Sequence, residues 1–368
     1  MGWDKISETI VSHSLEIEKN QKVYIDFVGT GDDFIEILLK QILLAGGVPF
    51  LRSTSIRNVK TMVKNSTISQ IKEWSQRELE LLSKMNAYIG IRSDDNSYEF
   101  NDLPPAQYDA YKYHFLMPMQ QQYAQLDRWL LLKVPSYGLA QLAQMSLAQF
   151  ESIYFKACTM NYRQMLNNTR PLIEWLNRTD KVRIISEGTD LQFSKYQIPS
   201  FLCDGRYNLP DGELFTAPVI DTVEGCITFN VSTAFLGQRF EAGQRMVFHK
   251  GKVVDIQGSH RERIWDILQQ DEGAMRIGEF GIGLNPYIQK PMNNILFDEK
   301  MLGSIHLAFG QAFPTTDNGN ESAIHWDWVL DLSGESGGGK LYFDDILVMQ
   351  DGVFVPNELT SLNYNRGS

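Results

Sequence analysis

The chain has 368 residues, of which 43% are hydrophobic and 21% are charged, a composition typical of a globular protein with room for two domains. A formal net charge of −11, with no stretch dense in lysine and arginine, argues against a nucleic-acid partner. The longest apolar runs, such as residues 34–45, are too short for a membrane span, and the N-terminus shows no signal-peptide pattern. We therefore expect neither a membrane nor a nucleic acid as partner.

The three cysteines, Cys158, Cys203 and Cys226, form no Cys-x-x-Cys pair. An odd number of widely spaced cysteines is unusual for a disulfide scaffold or for a zinc site built from cysteines. The cysteine pattern therefore predicts a protein of the reducing cytoplasm.

Alternating strands and helices are predicted at the start of the chain. Residues 22–27 are rich in β-branched and aromatic side chains and predict a strand, and residues 32–45 have the apolar periodicity of a helix. Gly46-Gly47 would end this helix, and residues 48–52 would form the next strand. Such a βαβ unit predicts a parallel sheet.

Further strands are predicted at residues 87–91 and 129–134. Ser146 and Gln149 have the spacing of a capping box at the start of a helix. Another helix is predicted at residues 161–177, followed by a break. We therefore predict an N-terminal α/β domain with a parallel sheet over residues 1–177.

Short β-like runs separated by Gly, Asn and Asp follow from residue 178 onward. They lie at residues 182–186, 191–194, 226–231, 246–249, 252–256 and 340–347, and one helix is predicted near residues 261–270. This pattern predicts a C-terminal mixed-sheet domain over residues 178–368. The predicted fold class is α/β, with a parallel sheet in the first domain and a mixed sheet in the second.

Glutamates and histidines recur in apolar, glycine-punctuated segments of this second domain. They are Glu213, Glu279, Glu299, His306, His325 and Asp327. If His325-Trp-Asp327 lies on a strand, residues i and i+2 point to the same face, so imidazole and carboxylate would converge. Burying such groups is costly unless they are compensated, and a metal ion compensates them. We therefore expect the C-terminal domain to be the metal-binding catalytic domain.

Each of these residues has a plainer explanation when it is taken alone. A single histidine such as His306 is more often a hydrogen-bonded core residue, and Glu213 or Glu279 could be an exposed turn carboxylate. Glu299 could equally lie at the start of a helix. Together, however, two histidines and three or four carboxylates suit zinc, cobalt or manganese, and carboxylates can bridge two ions. Because paired ions are the usual equipment for amide hydrolysis, the residues alone predict a two-metal hydrolase.

Several motifs of the second domain stand in the order of a known family. They are Glu187-Gly-Thr-Asp-Leu191, Asn208-Leu-Pro-Asp-Gly-Glu213, Thr216-Ala-Pro218, Glu224-Gly225, Gly278-Glu279-Phe-Gly-Ile-Gly-Leu-Asn-Pro286, Asp298-Glu299-Lys300, His306-Leu-Ala-Phe-Gly310 and His325-Trp-Asp327. By these motifs the chain resembles the M29 metallo-aminopeptidases, the aminopeptidase T and aminopeptidase S group. Its spacing from Glu299 to His306 is similar to that of the shorter-chain members.

The resemblance implies a metal-dependent aminopeptidase that removes N-terminal residues from peptides or similar small substrates. It implies two divalent ions, Zn, Co or Mn, which activate a shared water, and a homodimeric assembly. The metal ligands that it implies are Glu213, Glu279, Glu299, His306, His325 and Asp327, with Glu279 bridging the ions. We expect Glu279 or Glu213 to act as the catalytic base.

One departure from the family pattern concerns residue 313. The long aminopeptidases have a tyrosine seven residues beyond the first histidine, and the resemblance implies that its hydroxyl stabilises the tetrahedral intermediate. In this chain the segment is Gly310-Gln-Ala-Phe313, which lacks that hydroxyl. The loss of one oxyanion donor typically costs on the order of a hundredfold in rate.

Two other functions stay open at this point. Relatives of this fold include mononuclear Fe(II) ring-cleaving dioxygenases of the dihydroxypyridine type, for which His306, His325 and Asp327 would suffice as ligands. The presence of both Glu213 and Glu279 favours the two-metal hydrolase over this alternative. The third function is a metal-binding homologue without peptidase activity, which is suggested by Phe313.

Overall fold

The computed structural model describes residues 2–29, 32–93, 95–235 and 237–364. These residues fall into two compact units. The first contains the chain to Met160 together with Gly205–Pro210, and the second contains Asn161–Asp204 and the chain from Asp211 onward. The predicted boundary lies after residue 177, near the end of the helix Tyr162–Arg178. In the structure the second unit begins before that helix, at Asn161.

Most helices lie in the first unit. In chain order the helices are α1 (Gly2–Thr9), α2 (Asp32–Leu44), α3 (Ile56–Asn65), α4 (Ile68–Leu82), α5 (Pro105–Tyr111), α6 (Met117–Tyr123), α7 (Tyr137–Leu142), α8 (Leu147–Cys158), α9 (Tyr162–Arg178), α10 (Arg261–Leu268) and α11 (Ile295–Asp298). The predicted capping box is present at the start of α8, where Ser146 and Gln149 bond each other's backbone N–H. Within the described ranges, none of these helices is both long enough and apolar enough to cross a membrane.

Strands occur in both units. In chain order they are β1 (Lys22–Val28), β2 (Val48–Thr54), β3 (Ala87–Arg92), β4 (Arg128–Lys133), β5 (Lys181–Ser186), β6 (Thr189–Ser194), β7 (Phe201–Cys203), β8 (Asn208–Leu209), β9 (Glu213–Thr216), β10 (Glu224–Phe229), β11 (Thr233–Phe235), β12 (Gln238–Phe240), β13 (Gln244–His249), β14 (Lys252–Gln257), β15 (Ile277–Gly283), β16 (Ser304–Gly310), β17 (His325–Asp331), β18 (Gly339–Phe343), β19 (Ile346–Gln350) and β20 (Val353–Phe354). The first unit has a five-stranded parallel sheet of order β2-β1-β3-β4-β8. The predicted βαβ unit and parallel sheet are thus confirmed, as β1, α2 and β2.

A buried charge network joins three strands of this parallel sheet. Asp26 of β1 is 3% exposed and accepts hydrogen bonds from Arg52 of β2, from Arg92 of β3 at 2.8 Å and from the Tyr88 hydroxyl at 3.1 Å. Burial acts to raise the pKa of Asp26, but the charges of Arg92 and Arg52 outweigh it and hold that pKa below its usual value. The network therefore stabilises the first unit only while Asp26 is ionised.

Among the described residues, the second unit contains the antiparallel pair β11–β12 and two larger antiparallel sheets. One has the order β14-β13-β10-β6-β5-β18-β19-β20 and the other the order β17-β16-β15-β9-β7. Apolar side chains from both sheets belong to one core cluster, which includes Phe193 and Phe229 of the larger sheet and Phe280 and Trp328 of the smaller. Since side chains alternate along a strand, the other face of the smaller sheet is left for polar residues.

One predicted strand is in fact two. The run at residues 340–347 forms the antiparallel hairpin β18–β19, in which Phe343 pairs with Ile346. Asp344 and Asp345 between them have φ angles of 47° and 68°. Two consecutive residues with positive φ match the right-handed twist of a tight hairpin, and aspartate tolerates this conformation better than most residues.

Candidate metal centre

The polar face of the smaller sheet carries five of the predicted ligands. They lie on four neighbouring strands. Glu213 is on β9, Glu279 on β15 and His306 on β16, and both His325 and Asp327 are on β17. Their immediate neighbours along the strands, among them Leu214, Phe280, Leu307 and Trp326, belong to the apolar core. The two-residue alternation that packs the core therefore turns the carboxylates and imidazoles to the opposite face.

Small residues separate these side chains in the sheet. Gly281 pairs with His306, and Ala308 lies between Glu279 and Asp327 in register. A Cβ atom on Gly281 would lie only 2.1 Å from Nε2 of His306, so the imidazole rests directly against the glycine backbone. A bulge between Ile277 and Glu279 interrupts the pairing where β15 turns its glutamate toward the neighbouring strands.

The first group of candidate ligands consists of Glu213, Glu279 and His306. Nε2 of His306 is 3.3 Å from Oε2 of Glu213 and 3.1 Å from Oε1 of Glu279. All three residues are buried, and His306 is completely inaccessible to solvent. Each residue offers one donor atom within 4.8 Å of the other two, as a shared ion requires.

The second group consists of Glu279, His325 and Asp327, so Glu279 belongs to both. Nε2 of His325 is 3.4 Å from Oε2 of Glu279 and 3.5 Å from Oδ1 of Asp327. Nδ1 of His325 donates to the carbonyl of Gln311 at 2.8 Å. This bond fixes the ring and leaves Nε2 as the nitrogen that faces the carboxylates, the usual arrangement of a metal-binding histidine.

The chemistry of these atoms fits divalent ions. Two atoms that are each about 2.1 Å from a zinc ion lie about 3.4 Å apart in a tetrahedral arrangement. The nitrogen–oxygen separations in the two groups are 3.1 to 3.5 Å. Oε2 of Glu213 and Oε2 of Glu279 are also buried without a hydrogen-bond partner, which is costly for a carboxylate unless a cation is bound.

Opposing charges set the protonation of this face. Burial lowers the pKa of His306, but its bond to Glu279 and the charge of Glu213 raise it to about 9. Burial also lowers the pKa of His325, and Asp327 and Glu279 raise it to about 10. Burial raises the pKa of Glu279 in spite of both histidines, whereas His325 lowers the pKa of Asp327 against the effect of burial. An ion needs neutral imidazoles and would displace protons from this face.

The sixth predicted ligand, Glu299, is placed differently. Its carboxylate contacts Nζ of the adjacent Lys300, and it belongs to neither group of candidate ligands. The same ammonium lies 2.6 Å from Oε1 of Glu213 and 3.8 Å from Oδ1 of Asp211. Burial raises the pKa of Glu299 to about 8, although Lys300 acts in the opposite direction.

Lys300 and Asp211 are therefore parts of the site that the sequence reasoning missed. Both are completely buried, which is rare for these residue types unless they are paired. Asn285 joins their segments, because its side chain donates to the carbonyl of Asp211 and its backbone N–H donates to that of Lys300. The tripeptide Asp298-Glu299-Lys300 gave no signal of burial, and the only hint in the sequence was that Lys300 directly follows two motif carboxylates.

Phe313 stands beside the second group. Its ring centroid is 4.8 Å from that of His325 and 5.5 Å from that of Phe215, and the residue is 43% exposed. The position at which the resemblance placed a tyrosine thus lies next to a candidate ligand. Phenylalanine supplies no hydroxyl at this position.

These features define a class of protein: an α/β chain in which one face of an antiparallel sheet gathers carboxylates and imidazoles suited to divalent ions. The family model described as thermophilic metalloprotease (M29) matches residues 3–354. The chain therefore belongs to the M29 family of metalloproteases, and the predicted family resemblance is confirmed.

Similar sequences include known aminopeptidases. Over 166 residues the chain is 33% identical to aminopeptidase T of Thermus aquaticus, a match that spans 40% of this chain and 38% of that protein. Over 140 residues it is 34% identical to aminopeptidase T of Thermus thermophilus, spanning 33% of this chain and 34% of that protein. A longer match, 23% identical over 390 residues, is to aminopeptidase AmpS of Bacillus subtilis and spans 88% of this chain and 91% of that protein.

Solved structures share the fold. The wild-type AmpT structure from Thermus thermophilus is similar with a TM-score of 0.78 at 19% identity, covering 96% of this chain and 99% of that one. The 2,5-dihydroxypyridine dioxygenase of Pseudomonas putida KT2440 is similar with a TM-score of 0.64 at 15% identity, covering 97% and 98%. At these identities the similarity establishes the predicted α/β fold class and leaves the activity to the site.

Proposed function

We propose that this protein is a metal-dependent aminopeptidase that removes N-terminal residues from peptides. The observation that carries the proposal is the pair of ligand groups, Glu213–Glu279–His306 and Glu279–His325–Asp327, which share one carboxylate. A shared carboxylate is suited to bridging two ions. Membership of a metalloprotease family and the similarity to aminopeptidases support the same activity.

The charge of the site supports two ions rather than one. Asp211, Glu213, Glu279, Glu299 and Asp327 provide five carboxylates, and Lys300 provides one ammonium. Bound cations would favour the ionised form of all five carboxylates and the neutral form of both histidines. Four negative charges are then left, which two divalent cations would neutralise. We infer Zn, Co or Mn as the ion, because nitrogen and oxygen ligands of this kind suit all three.

In the proposed reaction the chain's own residues hold and move protons. Divalent ions at such a site supply a Lewis acid for the peptide carbonyl and a nucleophilic water at neutral pH. Glu279, which belongs to both ligand groups, or Glu213 accepts the proton of the attacking water and returns it to the leaving amine. His325 is kept in place by Gln311, and Phe313 forms an apolar wall beside it.

Hydrolysis of aminoacyl-p-nitroanilides tests this proposal. The protein is stripped with EDTA and then assayed alone and with zinc, cobalt or manganese. We expect release of p-nitroaniline only with an added ion, and release from a free N-terminus but not from an N-acetylated substrate. The absence of turnover with every ion would overturn the aminopeptidase proposal, and elemental analysis of the same samples gives the number of ions.

The similarity to a dioxygenase supports a second candidate, a mononuclear Fe(II) enzyme that cleaves dihydroxypyridine rings. That chemistry needs His306, His325 and Asp327 around one ion. Within the described part of the chain, however, no set of three donor atoms lying within 4.8 Å of one another includes both histidines. Oxygen uptake with Fe(II) and a dihydroxypyridine, without hydrolysis of anilides, would favour this candidate.

A metal-binding homologue without peptidase activity is the third candidate, and Phe313 is the reason to consider it. Bound ions together with no turnover of any anilide would favour this candidate. We also infer a homodimer in the cytoplasm. Light scattering of the purified protein tests the assembly, and the free thiols of Cys158, Cys203 and Cys226 are in keeping with a reducing compartment.

A further inference from the structure

Lys300 is an unusual component of a site that would attract cations. It is 0% exposed, and its ammonium contacts Glu299, lies 2.6 Å from Oε1 of Glu213 and lies 3.8 Å from Oδ1 of Asp211. A lysine in this position competes with metal ions for the same carboxylates. Its charge must therefore decide which oxygens are left for the ions.

Glu213 shows the effect of this competition most directly. Oε1 is bound by Lys300, whereas Oε2 lies 3.3 Å from Nε2 of His306 and has no hydrogen-bond partner. One oxygen thus faces the lysine and the other faces the candidate ligands. This arrangement limits Glu213 to a single oxygen for an ion.

Glu299 is affected in a different way. Its carboxylate is paired with Lys300, and it belongs to neither group of three candidate ligands, although the family resemblance implied that it binds metal. The backbone around it is firmly held: Asp298 is 2% exposed and accepts hydrogen bonds from the N–H groups of Met292 at 2.6 Å and Asn294 at 3.0 Å. The backbone of Glu299 is therefore fixed, and Lys300 affects only the direction of the Glu299 side chain.

We propose that Lys300 is a positioning residue of the metal centre, which restricts Glu213 to one oxygen and holds Glu299 away from the ions. The inference rests on the proposed function only in requiring that divalent ions bind at this face. Fewer carboxylate oxygens around the ion leave it a stronger Lewis acid and less tightly bound. Lys300 would thus lower the affinity of the site for metal ions and raise the reactivity of the ions that are bound.

A cycle of three variants tests this proposal through metal binding, without relying on turnover. We expect Glu299→Gln to leave the zinc dissociation constants within about twofold of wild type, because Glu299 is not a ligand. Lys300→Met should tighten one of them about tenfold or more, on the scale of other changes next to metal ligands, because Glu299 becomes free to coordinate. The double variant should lose the part of this gain that comes from Glu299 and keep only the part that comes from the freed Oε1 of Glu213. Competition with a chromophoric chelator gives the constants.

The visible absorption of bound cobalt and the kinetic constants of the variants provide two further measurements of the role of Lys300. In Lys300→Met the visible absorption of bound cobalt should weaken, as expected for a higher coordination number, and kcat should fall while KM changes little. Lys300→Arg keeps the positive charge and should keep the wild-type constants. Lys195→Met is the control, since Lys195 is also 0% exposed but donates to the carbonyl of Leu176 at 2.9 Å, apart from the candidate ligands.

Two results would overturn the role of Lys300. A large loss of zinc affinity in Glu299→Gln alone would show that Glu299 is a ligand in the presence of the lysine. Unchanged constants and an unchanged cobalt spectrum in Lys300→Met would show that the lysine is merely structural. If the wild-type protein binds ions but hydrolyses no anilide, the proposed function fails while the cycle still decides the role of Lys300. If it binds no ion, both proposals fail.

Discussion

Gly281→Ala should disable the first ligand group with the smallest change that the chain allows. The added Cβ would lie 2.1 Å from Nε2 and from Cε1 of His306. Carbon and nitrogen atoms normally approach to about 3.5 Å, so the ring would have to move by about 1.4 Å. A displacement of that size removes Nε2 from its positions 3.1 Å from Glu279 and 3.3 Å from Glu213.

Two quantities should change in Gly281→Ala. We expect zinc affinity at the first group to fall about 10- to 100-fold, as it does when the support of a metal ligand is altered. The metal-free protein should also lose about 1–3 kcal/mol of unfolding free energy through overpacking. Chelator competition measures the first quantity, and urea unfolding in EDTA measures the second.

Gly334→Ala is the matched control for this experiment. Its nearest neighbour would be Cβ of Asp351 at 3.9 Å, an ordinary contact, and neither glycine has the positive φ that disfavours alanine. We expect the control to retain wild-type zinc affinity and stability. If Gly281→Ala also bound both ions as the wild type does, His306 would not be held against the glycine in the way that the structure describes.

Three further changes test separate parts of the structure. Phe313→Tyr should raise kcat on anilides, by up to about a hundredfold, if a missing oxyanion donor limits turnover; urea unfolding should be nearly unchanged, because Phe313 is 43% exposed. Unaltered kcat would remove this explanation. Asp26→Asn should cost about 3–5 kcal/mol at pH 7, because it leaves Arg52 and Arg92 unpaired. Because the pKa of Asp26 is lowered in the folded state, its contribution is present above about pH 4 and is lost as the pH falls through the folded value. The stabilities of variant and wild type should therefore converge as the pH falls below the lowered pKa of Asp26, and a difference that does not change with pH would contradict this. Trp328→Ala should cost about 3–5 kcal/mol in urea unfolding, since the ring is 0% exposed between Phe229 and Phe240; a cost below about 1 kcal/mol would mean that the two sheets do not depend on it.

Local patterns were sufficient for much of the fold. The βαβ start and the cap at Ser146 could be predicted because their signals are carried by neighbouring residues. The prediction of a single strand at residues 340–347 was wrong, because the hairpin turn there has no glycine and only the positive φ angles of Asp344 and Asp345 reveal it. A run of β-forming residues shows where strands exist but does not show where a two-residue turn divides them.

The candidate site, like the fold, could be predicted from the sequence only in part. The sequence brought forward Glu213, Glu279, His306, His325 and Asp327 through their apolar surroundings, and the structure places these side chains on one face. Their role as ligands stays a prediction. Lys300 could not be predicted, because its burial depends on contacts with Glu213 and Asp211, 87 and 89 positions away, which no local pattern encodes.

The alternation of the smaller sheet has a consequence for how the protein folds. A slip of one residue in the pairing of β16 would bring Ile305 or Leu307 to the polar face and carry His306 into the apolar core. Divalent ions can bind only to the correctly paired chain, and whatever binds the native state alone stabilises it by mass action. Ions present during refolding would therefore favour correct strand pairing. The metal site would then stabilise the native register of the sheet as well as carry the chemistry.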